Sequence, residues 1–163
     1  MDDAEEVWGD VPVRCRSVAV AVLTAIGERD AEVLLVQRGD GSYKGEWTLI
    51  TGRVERDETA WQAALREVHE EAGLSLAALY SAGFCDQFYS PSLETVEVVP
   101  VFVGVAAPKA QVVLNGENSA FQWSGLRDAA DLMPFHGHRV ALDIVAREFV
   151  HKYPAHWRRV SEA

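Results

Sequence analysis

The sequence predicts a mixed α/β domain, with helices packed on the faces of a mixed sheet. Short, β-branched apolar runs alternate with polar, Gly-rich connections, and two longer segments have helical spacing with turn-forming residues at their ends. Strands and helices mixed in this way favour a layered sheet-and-helix architecture. The length of 163 residues suits one core. We expect a flexible tail over residues 1–12 and a single domain over residues 13–160.

The predicted strands are short, and polar or Gly-rich segments separate them. An extended piece, TLITG, follows the Gly-rich loop over residues 39–47. The strands are expected over residues 17–25, 32–37 (ending at Arg38), near 78–89, 95–106 and 120–124.

The clearest helix is predicted over residues 58–72. Asp57 is a plausible N-cap, Glu58 suits the positive end of the helix, and Gly73 is a natural stop. One or two helical turns are expected in GLRDAADL. The last helix is predicted from about Gly137 to His151, between two prolines.

Composition excludes some classes of function. The net charge is −10 and no basic stripe is present, which argues against a duplex nucleic acid as the partner. No apolar run is long enough for a membrane span, and the acidic start differs from a signal peptide. The two cysteines, Cys15 and Cys85, form neither a disulfide framework nor a CxxC motif. We therefore expect a cytoplasmic protein without a membrane partner.

The helix after Gly52 gathers three carboxylates. At about 100° per residue, Glu67, Glu70 and Glu71 share one arc of about 100°. Ala60 and Ala63 precede them and are expected to leave room for something to approach. The neighbouring arc is apolar and consists of Trp61, Ala64, Leu65, Val68 and Ala72.

Like charges at this spacing cost a few tenths of a kcal/mol per pair, so the cluster favours a counter-ion. Arg66 would neutralise part of the charge, and a hard divalent cation would neutralise more. Mg²⁺ prefers carboxylate oxygens and completes its shell with substrate phosphates. The chemistry indicated is metal-assisted hydrolysis at phosphorus. A solvated acidic face is the alternative for REVHEE taken alone.

The wider pattern decides between these interpretations. The chain matches the spacing G-x5-E-x7-R-E-U-x-E-E-x-G-U at every fixed position, where U is a bulky apolar residue. The matching residues are Gly52, Glu58, Arg66, Glu67, Val68, Glu70, Glu71, Gly73 and Leu74. This segment resembles the Nudix box, the signature of the Nudix hydrolase family.

The resemblance implies an α/β/α sandwich with a mixed central sheet, in which the box forms a loop–helix–loop. It implies substrates with a diphosphate linked to another group, and Mg²⁺ as cofactor, with Mn²⁺ able to substitute. By position, Glu67, Glu70 and Glu71 would be the main metal ligands. Glu58 would be a supporting ligand or would hold Arg66. Gly52 would allow a tight turn, which is also an ordinary role for glycine.

Residues outside the box give further expectations. Glu117 precedes a strand, where relatives place a metal ligand or general base; an exposed loop acid is the alternative, and the choice of base between Glu70 and Glu117 stays open. Arg38 resembles a phosphate-contacting arginine, with a surface ion pair as the alternative. Arg53 is a further substrate contact, and Arg14 and Arg16 are weaker candidates.

Four aromatic residues are candidates to stack on a base or pterin ring: Trp47, Phe88, Tyr89 and Phe135. Of these, we select Trp47 and Phe135 as substrate contacts, against core or rim packing as the alternative. His136 and His138 lack neighbouring acids or cysteines at ligand spacing, so we interpret them as structural or exposed.

Three hypotheses for function follow. The first is a hydrolase that converts a nucleoside or pterin triphosphate to the monophosphate and pyrophosphate. Thr51 before Gly52, in place of a proline-glycine pair, resembles the dihydroneopterin triphosphate and dATP pyrophosphohydrolase branch. The second is cleavage of dinucleoside polyphosphates, nucleotide sugars or ADP-ribose. Tyr89 and Pro91, which resemble markers of two different subgroups, conflict. The third is a silent nucleotide-binding domain, which would be expected to lose box glutamates. Either a monomer or a homodimer is expected.

Overall fold

The structure, a computed structural model, describes residues 9–161 and contains a mixed sheet. In the order β4-β3-β2-β7-β6-β9, neighbouring strands are hydrogen-bonded; in addition β1 pairs with β7, β5 with β2 and β8 with β3. The β1–β7 and β2–β7 pairs are parallel and the others antiparallel. The strands are β1 Val13–Arg14, β2 Ser17–Leu23, β3 Glu32–Arg38, β4 Trp47–Thr48, β5 Ile50–Arg53, β6 Leu76–Ser90, β7 Thr95–Ala106, β8 Asn118–Gly125 and β9 Arg159–Ser161.

Helices cover both faces of the sheet. They are α1 Ala60–Ala72, α2 Leu126–Leu132 and α3 His136–Val145. The expected last helix is confirmed in place, but its α-helical part ends at Val145 and continues as a π-helical turn over Ala146–Val150. A 3-10 turn, His156–Arg158, precedes β9. Within residues 9–161, no helix is both long and apolar enough to span a bilayer.

The start of α1 differs from the prediction. Thr59, not Asp57, is the N-cap: its side chain accepts from the Gln62 backbone N–H, and the Gln62 side chain accepts from that of Thr59. This reciprocal pair satisfies two free N–H groups at the helix end, which explains the two-residue shift. Asp57 instead adopts a φ of 65° in the preceding turn. The predicted stop is confirmed, because Gly73 has a φ of 66°.

Alternate residues of β2 point to opposite faces of the sheet and join different cores. One core lies between the sheet and α1, and the other lies against α2 and α3. This arrangement confirms the mixed α/β fold with helices on both faces. Val18, Val20 and Val22 belong to the first core, and Ala19, Ala21 and Leu23 to the second.

The two alanines on α1 have a different role from the expected one. Ala63 is fully buried in the core, and Ala60 packs against it. They therefore do not clear a path for a ligand. Their small side chains allow the helix to lie close to β5, and this closeness brings a carboxylate against the strand, as described below.

The predicted tail covers residues 1–12, of which residues 1–8 lie outside the described part of the chain. Gly9 to Pro12 are exposed, and the Pro12 carbonyl accepts a 2.9 Å hydrogen bond from the Val96 N–H. This bond leads the chain into β1.

Candidate active site

A cavity of about 570 Å³ lies where β5, α1 and the loop before β8 meet. We call it the carboxylate pocket. Nine of the residues predicted from the sequence as site residues line it: Arg38, Gly52, Arg53, Arg66, Glu67, Glu70, Glu71, Glu117 and Phe135. The chain thus brings the box helix, the end of β3 and the loop before β8 to one place.

Arg66 is the hub of the acidic cluster. Its Nε donates to Glu58 at 2.8 Å, and its Nη1 donates to both Glu67 at 2.8 Å and Glu70 at 3.2 Å. It also donates to the Arg53 carbonyl at 2.8 Å. The hydrogen bond from Arg66 lowers the pKa of Glu58, and the carboxylates raise the pKa of Arg66. Of the two roles expected for Glu58, the structure shows the one in which it holds Arg66.

Gly52 is required by the close approach of the helix. A Cβ on this residue would lie 1.9 Å from the carboxyl carbon of Glu67, so any larger residue would displace that side chain. The role of Gly52 is therefore to make room for Glu67, beyond the turn expected for it. The Glu67 side chain is only 11% exposed, whereas that of Glu70 is 52% exposed.

Burial and the repulsion between carboxylates change the pKa values of the other acidic residues in the pocket. Burial raises the pKa of Glu71 to about 8, and the nearby carboxylates of Glu67 and Glu117 add to the rise. Burial likewise raises the pKa of Glu67, against the lowering effect of Arg66. A side-chain hydrogen bond with Glu117 also contributes to the raised pKa of Glu71. The pocket therefore disfavours the charged forms of the two buried carboxyl groups, those of Glu67 and Glu71, as long as no cation offsets them.

Comparison with known proteins agrees with this geometry. A sequence profile of the NUDIX domain matches residues 15–144, which is most of the chain. The chain belongs to the Nudix family. The Nudix box is therefore the segment from Gly52 to Leu74, and it supplies most of the acidic lining of the pocket.

The relatives differ in name and in length. An octanoyltransferase of Myxococcus xanthus is 35% identical over 144 residues, or 84% of this chain and 38% of that protein. An asymmetrical bis(5'-nucleosyl)-tetraphosphatase of Sus scrofa is 34% identical over 106 residues, or 64% of this chain and 71% of that protein. The dihydroneopterin triphosphate pyrophosphohydrolase structure from E. coli is 27% identical, with a TM-score of 0.62, covering 82% of this chain and 96% of that chain. The chain spans less than half of the first relative.

The donor set of the Nudix box fits a hard divalent ion, because the acidic end of the pocket offers carboxylate oxygens and neither sulfur nor imidazole. From Gly9 to Ser161, however, no three such side chains form a ready-made metal site. Arg66 instead holds oxygens of Glu67 and Glu70. Glu70, half exposed at the rim, has room to turn from Arg66 towards an ion.

The aromatic candidates separate into two groups. Phe88 and Phe135 line the pocket, as stacking candidates would. Trp47 does not: it is half-buried and packs against the core on the α3 face. Tyr89 is exposed and donates from its hydroxyl to Glu94 at 3.0 Å. Packing within the sheet thus accounts for Trp47, which the sequence alone placed among the substrate contacts.

Tyr43 and His138 also line the pocket; Tyr43 was not singled out from the sequence, and His138 was interpreted as structural or exposed. The Tyr43 ring meets Phe135 edge-on, with centroids 5.0 Å apart, and His138 meets Phe135 at 5.5 Å. His138 is buried, its Nδ1 finds no hydrogen-bond partner among residues 9–161, and burial lowers its pKa to about 4. His138 is thus the structural residue expected, whereas His136 is exposed. A Tyr inside a Gly-rich loop gave no signal of its own.

A part-buried ion pair between Arg16 and Glu97 was also missed. Glu97 accepts from the Thr95 hydroxyl at 2.5 Å and from Arg16 at 2.7 Å, and the hydrogen bond from Thr95 is the main cause of its lowered pKa. Glu97 also lines the pocket. Arg14, in contrast, bonds to its neighbour's carbonyl. The signal in the sequence was an acid in the middle of an apolar strand, VEVVPV.

Proposed function

We propose that this chain is a Mg²⁺-dependent pyrophosphohydrolase that cleaves a nucleoside or pterin triphosphate to the monophosphate and pyrophosphate. Water adds to phosphorus, and the bond from that phosphorus to the bridging oxygen breaks. The observation that carries the proposal is the set of carboxylates of Glu67, Glu70, Glu71 and Glu117 at one end of a pocket that also contains Arg38 and Arg53. Acids alone would repel a triphosphate, so a cation between the two is required.

Glu67, Glu70 and Glu71 would hold the ion, with Glu117 as a further ligand, and Mn²⁺ would substitute for Mg²⁺. When bound, the ion offsets phosphate charge and lowers the pKa of a water molecule. Arg66 and Glu58 position Glu67, because the three side chains form a continuous hydrogen-bonded chain.

The general base is a carboxylate at the open side of the pocket. Glu70 and Glu117 are both exposed there, so each is able to accept a proton from a water molecule arriving from solvent. Arg38 and Arg53 offer planar guanidinium groups to phosphate oxygens. Arg38 lies near enough to Glu71 to lower its pKa, which supports a role for Arg38 in contacting the expected phosphates.

The direct test replaces Glu70 and Glu71 separately with Gln and measures pyrophosphate release in Mg²⁺. Loss of groups that only orient metal ligands costs about 10–100-fold, so we expect a fall of at least about 100-fold for a ligand. Glu28→Gln, which changes an exposed glutamate away from the pocket, is the matched control. Full activity in both pocket variants would overturn the ligand assignment.

The substrate is tested with a panel of dNTPs, dihydroneopterin triphosphate, dinucleoside polyphosphates and ADP-ribose. Similarity to the E. coli dihydroneopterin triphosphate enzyme supports the second of these groups. Similarity to the Sus scrofa tetraphosphatase favours dinucleoside polyphosphates as the alternative. Turnover of ADP-ribose alone would refute the proposed branch. A silent binding domain would bind nucleotides without Mg²⁺-dependent turnover, and retention of every box glutamate argues against it.

A further inference from the structure

A second cavity, of about 560 Å³, adjoins the carboxylate pocket. We call it the ring cavity. It extends from the acidic end towards the long β6–β7 hairpin and the start of α3. The two cavities share Ser17, Tyr43, Arg53, Phe88, Glu97 and Phe135. A molecule with its phosphates at the carboxylates would therefore place its other end here.

Two aromatic side chains form apolar walls of the ring cavity. Phe88, on β6, is 48% exposed, which is unusual for a side chain of its size and leaves its ring available for contact. Phe135 is half-buried and is supported edge-on by Tyr43 and His138. The cavity thus offers flat apolar surface to a planar ring, and one of its walls is held in place by packing.

Asp86 is the acidic group that lies between these walls and α3. It shares a strand face with Phe88, two residues along β6, and lines the ring cavity. A Cβ on Gly137 would lie 1.9 Å from a carboxylate oxygen of Asp86, so the glycine leaves the space that the carboxylate occupies.

The Asp86 carboxylate has unused capacity for hydrogen bonds. It accepts from the Gln87 backbone N–H, and His136 is near enough to act on it by charge. Among residues 9–161 it forms no ion pair with an arginine or lysine. Burial raises the pKa of Asp86. A carboxylate offers about four acceptor positions, so most remain for a ligand.

An ionised carboxylate only accepts hydrogen bonds, so its two oxygens select heterocyclic rings by the pattern of their N–H donors. Guanine and pterins present two adjacent donors, the ring N–H and the 2-amino group, which match two carboxylate oxygens. Adenine and cytosine place a ring acceptor beside their amino group, and that lone pair would face a carboxylate oxygen. Uracil and thymine flank one N–H with two carbonyls. The 2-amino-4-oxo pattern is therefore the one that fits.

We propose that the ring cavity binds the heterocycle of the substrate, and that Asp86 selects rings of the 2-amino-4-oxopyrimidine type, which are guanine and pterins. This inference rests on the proposed function for the position of the phosphates and narrows its substrate class. Asp86 is then a specificity-determining residue that does not take part in the hydrolysis itself.

The experiment measures binding calorimetrically, with GMP, IMP and AMP, to the full chain in Mg²⁺. IMP lacks only the 2-amino group. A bidentate pair discriminates by about 10–100-fold, so we expect GMP to bind tighter than IMP and AMP by this factor. In Asp86→Asn the ratio of GMP to IMP affinity falls to within about twofold. Gly137→Ala, whose Cβ displaces the carboxylate, lowers the ratio in the same way.

Asp143→Asn, which changes an exposed aspartate away from both cavities, keeps the ratio of the parent protein. Equal affinities for GMP and IMP in the parent would overturn the inference. An unchanged ratio of GMP to IMP affinity in Asp86→Asn would also overturn it. This includes the case in which the variant loses only thermal stability, because Asp86 would then act as a helix cap and not as a ligand contact. If the protein hydrolyses no substrate but still binds GMP more tightly than IMP, the proposed function would be refuted, whereas the inference about the ring cavity would hold.

Discussion

The carboxylate pocket and the ring cavity lie side by side but are built differently. Most of the acidic end comes from one continuous segment, residues 52–71, in which a single helix sets the spacing. The ring cavity is assembled from six separate parts of the chain, represented by Arg16, Tyr43, Arg53, Asp86, Glu97 and Phe135. Local helical geometry therefore allows the metal-binding carboxylates to be predicted from the sequence. The residues proposed to recognise the substrate, in contrast, come together only through tertiary packing.

Gly52→Ala is the substitution with the largest expected effect on the carboxylate pocket. The new Cβ overlaps Glu67, so the carboxylate moves although its identity is kept. We expect turnover of every substrate to fall by about 100-fold, the upper end for groups that orient metal ligands. Steady-state kinetics in Mg²⁺ check this. Gly125→Ala is the control, since a Cβ there meets nothing within 4 Å, and equal rates in both variants would contradict the packing argument.

A smaller loss is expected for Arg66→Lys. A lysine keeps the charge but has no planar fork, so it is unable to bridge Glu58, Glu67 and the Arg53 carbonyl together. We expect a fall in kcat of about 10-fold or more, because Glu67 loses its fixed position. A lower melting temperature, followed by circular dichroism, should accompany it. Parent-like kcat would show that the network is not needed for positioning.

In the ring cavity, Phe135→Leu should change substrate binding more than the rate of hydrolysis. Leucine keeps an apolar side chain but removes the flat ring, and base–aromatic stacking is worth about 1–3 kcal/mol. We expect KM to rise by about 5- to 10-fold, with kcat within twofold of the parent. Phe121→Leu, at an exposed position on β8, is the control. A fall in kcat with constant KM would place Phe135 at the reacting end instead.

The smallest effect concerns stability. In the folded chain burial lowers the pKa of His138 to about 4 from its ordinary 6.5. The unfolded chain therefore takes up the proton first, so the contribution of His138 to stability is complete above about pH 6.5 and is lost as the pH falls towards 4. The loss amounts to at most about 3 kcal/mol.

His138→Gln removes the titrating group, so we expect its free energy of unfolding to depend less on pH over this window. Urea unfolding at a series of pH values measures the slope. His136→Gln, at an exposed position on the same helix, should retain the slope of the parent. A parent-like slope in His138→Gln would show that other groups cause the acid sensitivity.

Much of the fold followed from the sequence because its signals are local. Apolar runs located the strands, and Gly73 ended α1 as expected. The N-cap was wrong by two residues, because Asp57 and Thr59 are both good capping residues and only Gln62, three residues after Thr59, distinguishes them. The π-helical turn that ends the last helix was missed, since nothing in AREFV indicates it.

In the candidate site, too, the residues with local signals were predicted from the sequence and those that depend on tertiary packing were not. The box carboxylates were located from their spacing, and the structure brings them to one pocket, although their roles remain predictions. Trp47 was placed among the substrate contacts because an exposed aromatic and a packed one look alike in sequence. Asp86 and Tyr43 were not singled out, because their significance depends on Gly137 and Phe135, which are far away along the chain.

Arg66 also has a mechanical consequence. By bonding to the Arg53 carbonyl and to Glu58, it closes the loop between β5 and α1. In a protein whose cysteines are both free, this guanidinium serves as a crosslink that needs no oxidant. A closed loop has fewer open states to visit. The loop and the helix should therefore exchange their amide protons as one cooperative unit rather than fraying separately.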